Sequence, residues 1–123
     1  MRERREPVNP AVLEEIRRRL QEARGRFLAV VARTEEELAT LEAHQPGGPM
    51  EDVDRETVTG VLSRLDGRER HELDEIYAAQ ARLETGTFGV CERCGQPIEL
   101  ARLRAIPATR HCLACQSRLE ARP

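Results

Sequence analysis

The sequence predicts a mainly α fold: an antiparallel coiled-coil helical hairpin followed by a small four-cysteine module with a short C-terminal helix. Three observations predict it. Apolar residues recur at helical spacing over two long stretches, a segment rich in Pro and Gly separates those stretches, and four cysteines fall near the end as two Cys-x-x-Cys pairs. Composition agrees with this reading. Of 123 residues, 34% are charged and 2% aromatic, with no Trp, so large side chains for a compact core are scarce and a thin helical seam is favoured. The 39% hydrophobic residues are periodic rather than diluted, which excludes a disordered chain.

The first helix has a marked beginning. Asn9 supplies a capping side chain, Pro10 suits the first helical position, and Val8 is placed to staple onto Leu13. From there Leu13, Ile16, Leu20, Ala23, Phe27, Val30 and Thr34 recur at alternating steps of three and four, after which the seam slips to Leu38 and Leu41. Charged residues such as Glu14, Glu15, Arg17 and Arg18 lie between them as a solvated face.

His44-Gln45-Pro46-Gly47-Gly48-Pro49 cannot continue a helix and forms the turn. A second helix is expected from Asp52 or Asp54, either of which can cap it, through Val58, Leu62, Leu65, Leu73, Ile76 and Leu83 to a stop at Gly86. Gly25, Gly60 and Gly67 fall inside these stretches, each costing about 1 kcal/mol relative to Ala, and are expected to mark bends. The expected organisation is a charged tail over 1–9, a hairpin over 10–86 with its apex near 44–54, and the cysteine module with its closing helix over 87–123. An intramolecular hairpin buries its own seam, so a monomer is expected.

A formal net charge of −2 sets up no global field for DNA or an anionic membrane, so charge recognition must be local. The N-terminus lacks the apolar stretch of a secretory signal, and no run of about 18 apolar residues is present, so a soluble cytoplasmic protein is expected, with no membrane partner. In that reducing compartment four cysteines point to metal rather than disulfides.

The ligand pattern is Cys91-x-x-Cys94, seventeen residues, then Cys112-x-x-Cys115. Two-residue gaps let each pair turn both sulfurs toward one point, and Zn2+ takes four such thiolates at about 2.3 Å. One structural zinc is therefore expected, with Gly95 giving the first knuckle its permissive backbone. Four thiolates leave no position for water, which excludes a catalytic zinc. His111 is an alternative fourth ligand beside a site already complete.

Gly86-Thr87-Phe88-Gly89-Val90-Cys91-Glu92-Arg93-Cys94-Gly95, Ile98, Arg102-Leu103-Arg104-Ala105-Ile106-Pro107 and Cys112-Leu113-Ala114-Cys115 together resemble the zinc finger of the DksA/TraR family. The resemblance implies a bacterial transcription regulator that binds RNA polymerase directly. It inserts its hairpin into the secondary channel and rests its zinc module on the rim, with no direct sequence-specific DNA binding. It also implies a tip of pattern Asp-x-x-Asp-x-Ala. Glu51 then stands at the first acid and Asp54 at the second, while Glu56 replaces the alanine.

Independently of any family, Glu51, Asp52, Asp54 and Glu56 surround a single base, Arg55. Such carboxylates suit a bound Mg2+ or a basic wall, and equally suit the positive end of a helix dipole. Around the cysteines, Arg93, Arg102, Arg104, Arg110, Arg118 and Arg122 outnumber Glu92, Glu99 and Glu120. That leaves two other readings, a nucleic-acid-binding finger and a thiol redox sensor. No nucleophile with a base and no phosphate loop is present, so an enzyme is not expected.

Overall fold

The computed structural model describes residues 9–44 and 52–121. Its helices are α1 (Pro10–Val31), α2 (Glu35–Ala43), α3 (Asp52–Leu62), α4 (Gly67–Thr85), α5 (Leu100–Ala105) and α6 (Leu113–Glu120). No strand occurs among the described residues, and a lone antiparallel bridge joins Val90 to Pro97. The mainly α class stands, and no helix among the described residues is long and apolar enough to cross a membrane.

Helix α1 begins as expected. The Asn9 side chain accepts the Ala11 amide at 2.8 Å and the Asn9 carbonyl accepts the Leu13 amide at 2.9 Å, with Pro10 in the first turn, where a missing N–H leaves nothing unpaired. Val8, the expected staple, lies outside the described residues. At its other end α4 stops at Gly86, whose φ of 78° lets the Thr87 amide reach back to the Arg82 carbonyl at 3.0 Å.

Each leg of the hairpin is broken where the periodicity predicts continuity. In the first leg Thr34 caps α2: its hydroxyl accepts the Glu37 amide at 3.0 Å, and the Glu37 carboxylate accepts the Arg33 amide at 2.8 Å. Thr34 is thus an exposed cap and not a seam residue. In the second leg Asp66 and Glu69 form a reciprocal capping box, at 2.8 and 3.1 Å, that starts α4. Gly67 opens α4 at this break, whereas Gly25 and Gly60 sit inside α1 and α3.

The chain divides into two units, one made of residues up to Leu20 and from Ala78 on, the other of Gln21–Tyr77. The division cuts through α1 and α4. In the Gln21–Tyr77 unit, Leu28, Leu41, Val58, Val61 and Leu73 form a buried cluster, with Phe27, Val31, Leu38, Leu62 and Tyr77 packed against it. The seam of α1 departs here from the alternating spacing. Leu28 is buried, and Val30 is 82% exposed. Along α1 the buried residues are Val12, Ile16, Leu20 and Leu28, and their steps of four, four and eight trace a different stripe from the heptad.

Two arginines join elements within this unit. Arg24 of α1 donates through Nη2 to the carbonyls of Leu41, Glu42 and His44 at 3.3, 3.0 and 2.8 Å, satisfying the open end of α2. Its guanidinium lies 5.6 Å from the centre of the Tyr77 ring, and His44 meets the same ring edge-on. Burial and then the Arg24 charge hold the His44 imidazole below its usual 6.5. This clamp holds the last described residue before the apex.

Arg64 bonds the Glu37 carboxylate at 2.8 Å, tying one helix break to the other. That hydrogen bond, and next the Arg33 amide, lower the Glu37 pKa from 4.5. A carboxyl lowered on folding stabilises the fold above the unfolded value of 4.5 and loses that contribution as pH falls through the folded value. Glu37→Gln is therefore expected to lower the thermal midpoint at neutral pH, with the gap to wild type closing below about pH 4.5. A gap that stays constant on acidification would remove the carboxylate from this role.

Candidate metal centre and acidic helix start

The metal-ligand candidates are brought together by two knuckles built from opposite ends of the module. In the first, the Val90–Pro97 bridge is extended by the Cys91 amide to the Gln96 carbonyl and the Ile98 amide to the Gly89 carbonyl, each at 2.8 Å. The Gly95 amide closes the turn onto the Cys91 carbonyl at 2.9 Å with φ of 75°, a conformation that disfavours any side chain. The second pair sits at the start of α6, with Cys112 as its cap residue in extended backbone. The Glu99 carboxylate accepts the Leu113 amide there at 3.3 Å. The Glu92 amide donates to the Arg110 carbonyl at 2.9 Å and joins the two knuckles.

Within this unit Val12, Ile16 and Leu20 of α1 are buried, as are Ala79, Phe88, Ile98 and Leu103. Arg19 donates to the Arg104 carbonyl, and Glu15 pairs with Arg104 at 3.8 Å, so the start of α1 is fastened to α5.

All four Sγ atoms lie within 4.8 Å of one another, with Cys91, Cys112 and Cys115 buried and Cys94 exposed. Cys94 Sγ and Cys112 Sγ are 3.8 Å apart. A tetrahedron with metal–sulfur bonds of about 2.3 Å has edges of about 3.8 Å, so the thiols are spaced to hold Zn2+. His111 is not part of the cluster.

As free thiols Cys91 and Cys115 are unequal. Burial raises the Cys91 thiol, but amides of Cys112, Cys94 and Arg93 and the Cys94 thiol outweigh it and bring it down to about 6. Cys115 is pushed up to about 12 by burial and by its sulfur neighbours. A cation is what such a cluster needs to ionise all four.

Of the acidic residues, Asp52 and Asp54 lie inside the first turn of α3, with Glu56 one turn from Asp52, and all three are exposed. The helix starts at Asp52, so neither aspartate is the residue preceding it; both complement its dipole from within. Glu51 and most of the turn, residues 45–51, lie outside the described residues. The arginines around the cysteines are less available than their number suggests. Arg102 Nε donates to the His111 carbonyl at 2.9 Å, Arg110 pairs with Glu92 at 3.0 Å and Arg104 with Glu15; Arg122 is outside the described residues. Sequence reasoning missed Arg82, which reaches from α4 into the module, because no local pattern marks such a reach.

A helical hairpin leading into a four-cysteine finger defines a class of protein, and comparison with known proteins agrees. Residues 86–121 match the model of the prokaryotic dksA/traR C4-type zinc finger. The RNA polymerase-binding transcription factor DksA of Escherichia coli (strain K12) is 31% identical over 117 residues, covering 95% of this chain and 77% of that protein. An uncharacterized protein of Aquifex aeolicus (strain VF5) is 36% identical over 116 residues, covering 92% and 79%. The solved structure of transcription factor DksA2 from Pseudomonas aeruginosa superposes with a TM-score of 0.60 at 29% identity, over 91% of this chain and 85% of that one. The solution structure of the DnaK suppressor protein from Agrobacterium tumefaciens C58 gives 0.55 at 32%, over 92% and 96%. The chain belongs to the DksA/TraR family.

Proposed function

We propose that this protein is a non-enzymatic, cytoplasmic regulator of transcription that binds RNA polymerase as a monomer. Its hairpin enters the secondary channel and its finger docks at the rim. The observation that carries the reading is the similarity, along 95% of the chain, to a protein named as an RNA polymerase-binding transcription factor. Cys91, Cys94, Cys112 and Cys115 would hold one structural Zn2+, which supplies folding free energy and no chemistry. Asp52, Asp54 and Glu56, with Glu51 before them, would present carboxylates to a basic wall or a Mg2+ in the channel.

The engagement of Arg102 and Arg110 by intramolecular carbonyl and carboxylate groups supports this over a finger that binds nucleic acid, for which those charges would need to face outward.

A photo-crosslinker at position 55, on the exposed first turns of α3, tests the insertion. Core polymerase is expected to be retained by the immobilised full chain at moderate salt, with crosslinks to residues lining the channel. The triple variant Asp52→Asn, Asp54→Asn, Glu56→Gln is expected to be retained too, but to lose the effect on promoter-complex lifetime. Failure of the wild-type chain to retain core enzyme rejects the partner; retention with no channel crosslink rejects the insertion.

A further inference from the structure

We propose that Arg82 is a positioning residue for the metal centre, through which metal binding orders the last turn of α4. This rests on the four thiolates holding zinc and is independent of what the protein binds.

Arg82 stands where α4 ends. It lies three residues before the end of α4, and its carbonyl receives the Thr87 amide across Gly86, so it belongs to the structure that ends the helix. Its side chain is only 13% exposed although it is an arginine. Nη2 faces the carbonyls of Ala108 and Thr109, each at 3.4 Å, and Nη1 lies 3.7 Å from Glu92 Oε2.

Those partners come from the two halves of the metal site. Glu92 follows Cys91 directly, whereas Ala108 and Thr109 lie on the approach to Cys112. Glu92 is also held by Arg110, at 3.0 and 3.3 Å, and its amide donates to the Arg110 carbonyl. One guanidinium therefore bridges the knuckles from outside while the metal would bridge them from inside. A planar fork with several donors can serve both partners, whereas each separate contact is long and individually weak.

The metal would close the segment between Cys94 and Cys112, and Arg82 closes an overlapping one, between Glu92 and Ala108. Forming either one reduces the ordering cost of the other, so they must reinforce each other by an equal factor in both directions. Loss of Arg82 weakens metal binding, and loss of the metal frees Arg82 and with it the last turn of α4. Arg82 acts through Glu92 and the 108–109 backbone rather than through a thiol.

The test uses the reduced full-length chain, with Co2+ titrated and then displaced by Zn2+ under chelator competition. Arg82→Met is expected to bind zinc about 10- to 100-fold more weakly, the range usual for residues that support metal ligands. Arg82→Lys, which keeps the charge and the reach without the fork, is expected to fall between Met and wild type. The Co2+-loaded variants should keep the tetrahedral thiolate spectrum, showing an intact ligand set. Hydrogen exchange gives the second readout: chelation should speed exchange of the Leu83–Thr87 amides in wild type, and in Arg82→Met those amides should exchange fast even with zinc bound.

An Arg82→Met affinity within about twofold of wild type overturns the proposal. So does an equal fall in thermal midpoint for the metal-free and zinc-loaded variant, since Arg82 would then support the helix alone. A wild-type chain that takes up neither Co2+ nor Zn2+ overturns the metal reading and this inference together; a metal-binding wild type beside an unaffected variant sinks only the role of Arg82.

Discussion

Removing zinc from the reduced chain with a strong chelator is expected to unfold residues 86–121 while the Leu28, Leu41, Val58, Val61 and Leu73 cluster stays folded. The module holds two short helices, of 6 and 8 residues, and neither length is stable alone in water. Its buried apolar side chains other than cysteine are Phe88, Ile98 and Leu103. A segment below about 40 residues with so small a core needs a metal or crosslink to fold. Structural zinc supplies about 10–16 kcal/mol in finger peptides, more than the whole stability of many domains.

The cluster in the Gln21–Tyr77 unit contains no cysteine, so it has no direct stake in the ion. Residue-resolved hydrogen exchange reads the difference, with protection lost around Cys91–Cys115 on chelation, kept at Leu28 and Leu73, and restored by added zinc. Cys115→Ser, which removes a fully buried ligand, is expected to reproduce the chelated state. Equal protection of the module with and without zinc would show that packing alone holds it.

The second large effect distinguishes two registers of α1. Leu28→Ala is expected to cost about 2–5 kcal/mol, because Leu28 is 1% exposed inside the cluster and its removal leaves a cavity as well as losing burial. Val30→Ala is expected to change stability by no more than about 0.5 kcal/mol, since the side chain is 82% exposed. The heptad spacing makes the opposite assignment, with Val30 in the seam. Tyr77, the lone Tyr in a chain without Trp, packs against this cluster, so its fluorescence during urea unfolding reports on this unit. A costly Val30→Ala beside a harmless Leu28→Ala would restore the heptad register.

The departures of α1 and of the second leg from the apolar period share a cause. Thr34-x-x-Glu37 and Asp66-x-x-Glu69 have the spacing of caps, and both lie where a continuous apolar period hides a break. Once the helix breaks, the phase of the seam is reset, and residues chosen by counting from one end drift off the buried face. The convergence of the four sulfurs is legible in the sequence, because Cys-x-x-Cys with Gly95 constrains the backbone within a few residues and admits few alternatives.

Local chemistry in the sequence therefore determined the capped start of α1 at Asn9-Pro10, the stop at Gly86, the convergence of four thiols and the family to which the chain belongs. Those features act over a handful of residues or carry a spacing with one physical solution. Tertiary structure alone decided which leucine of α1 faces the core, that Arg24 closes the end of α2, and that Arg82 spans both knuckles. An arginine side chain reaches across elements to carbonyls far away in the chain, and no period along the sequence records where it ends.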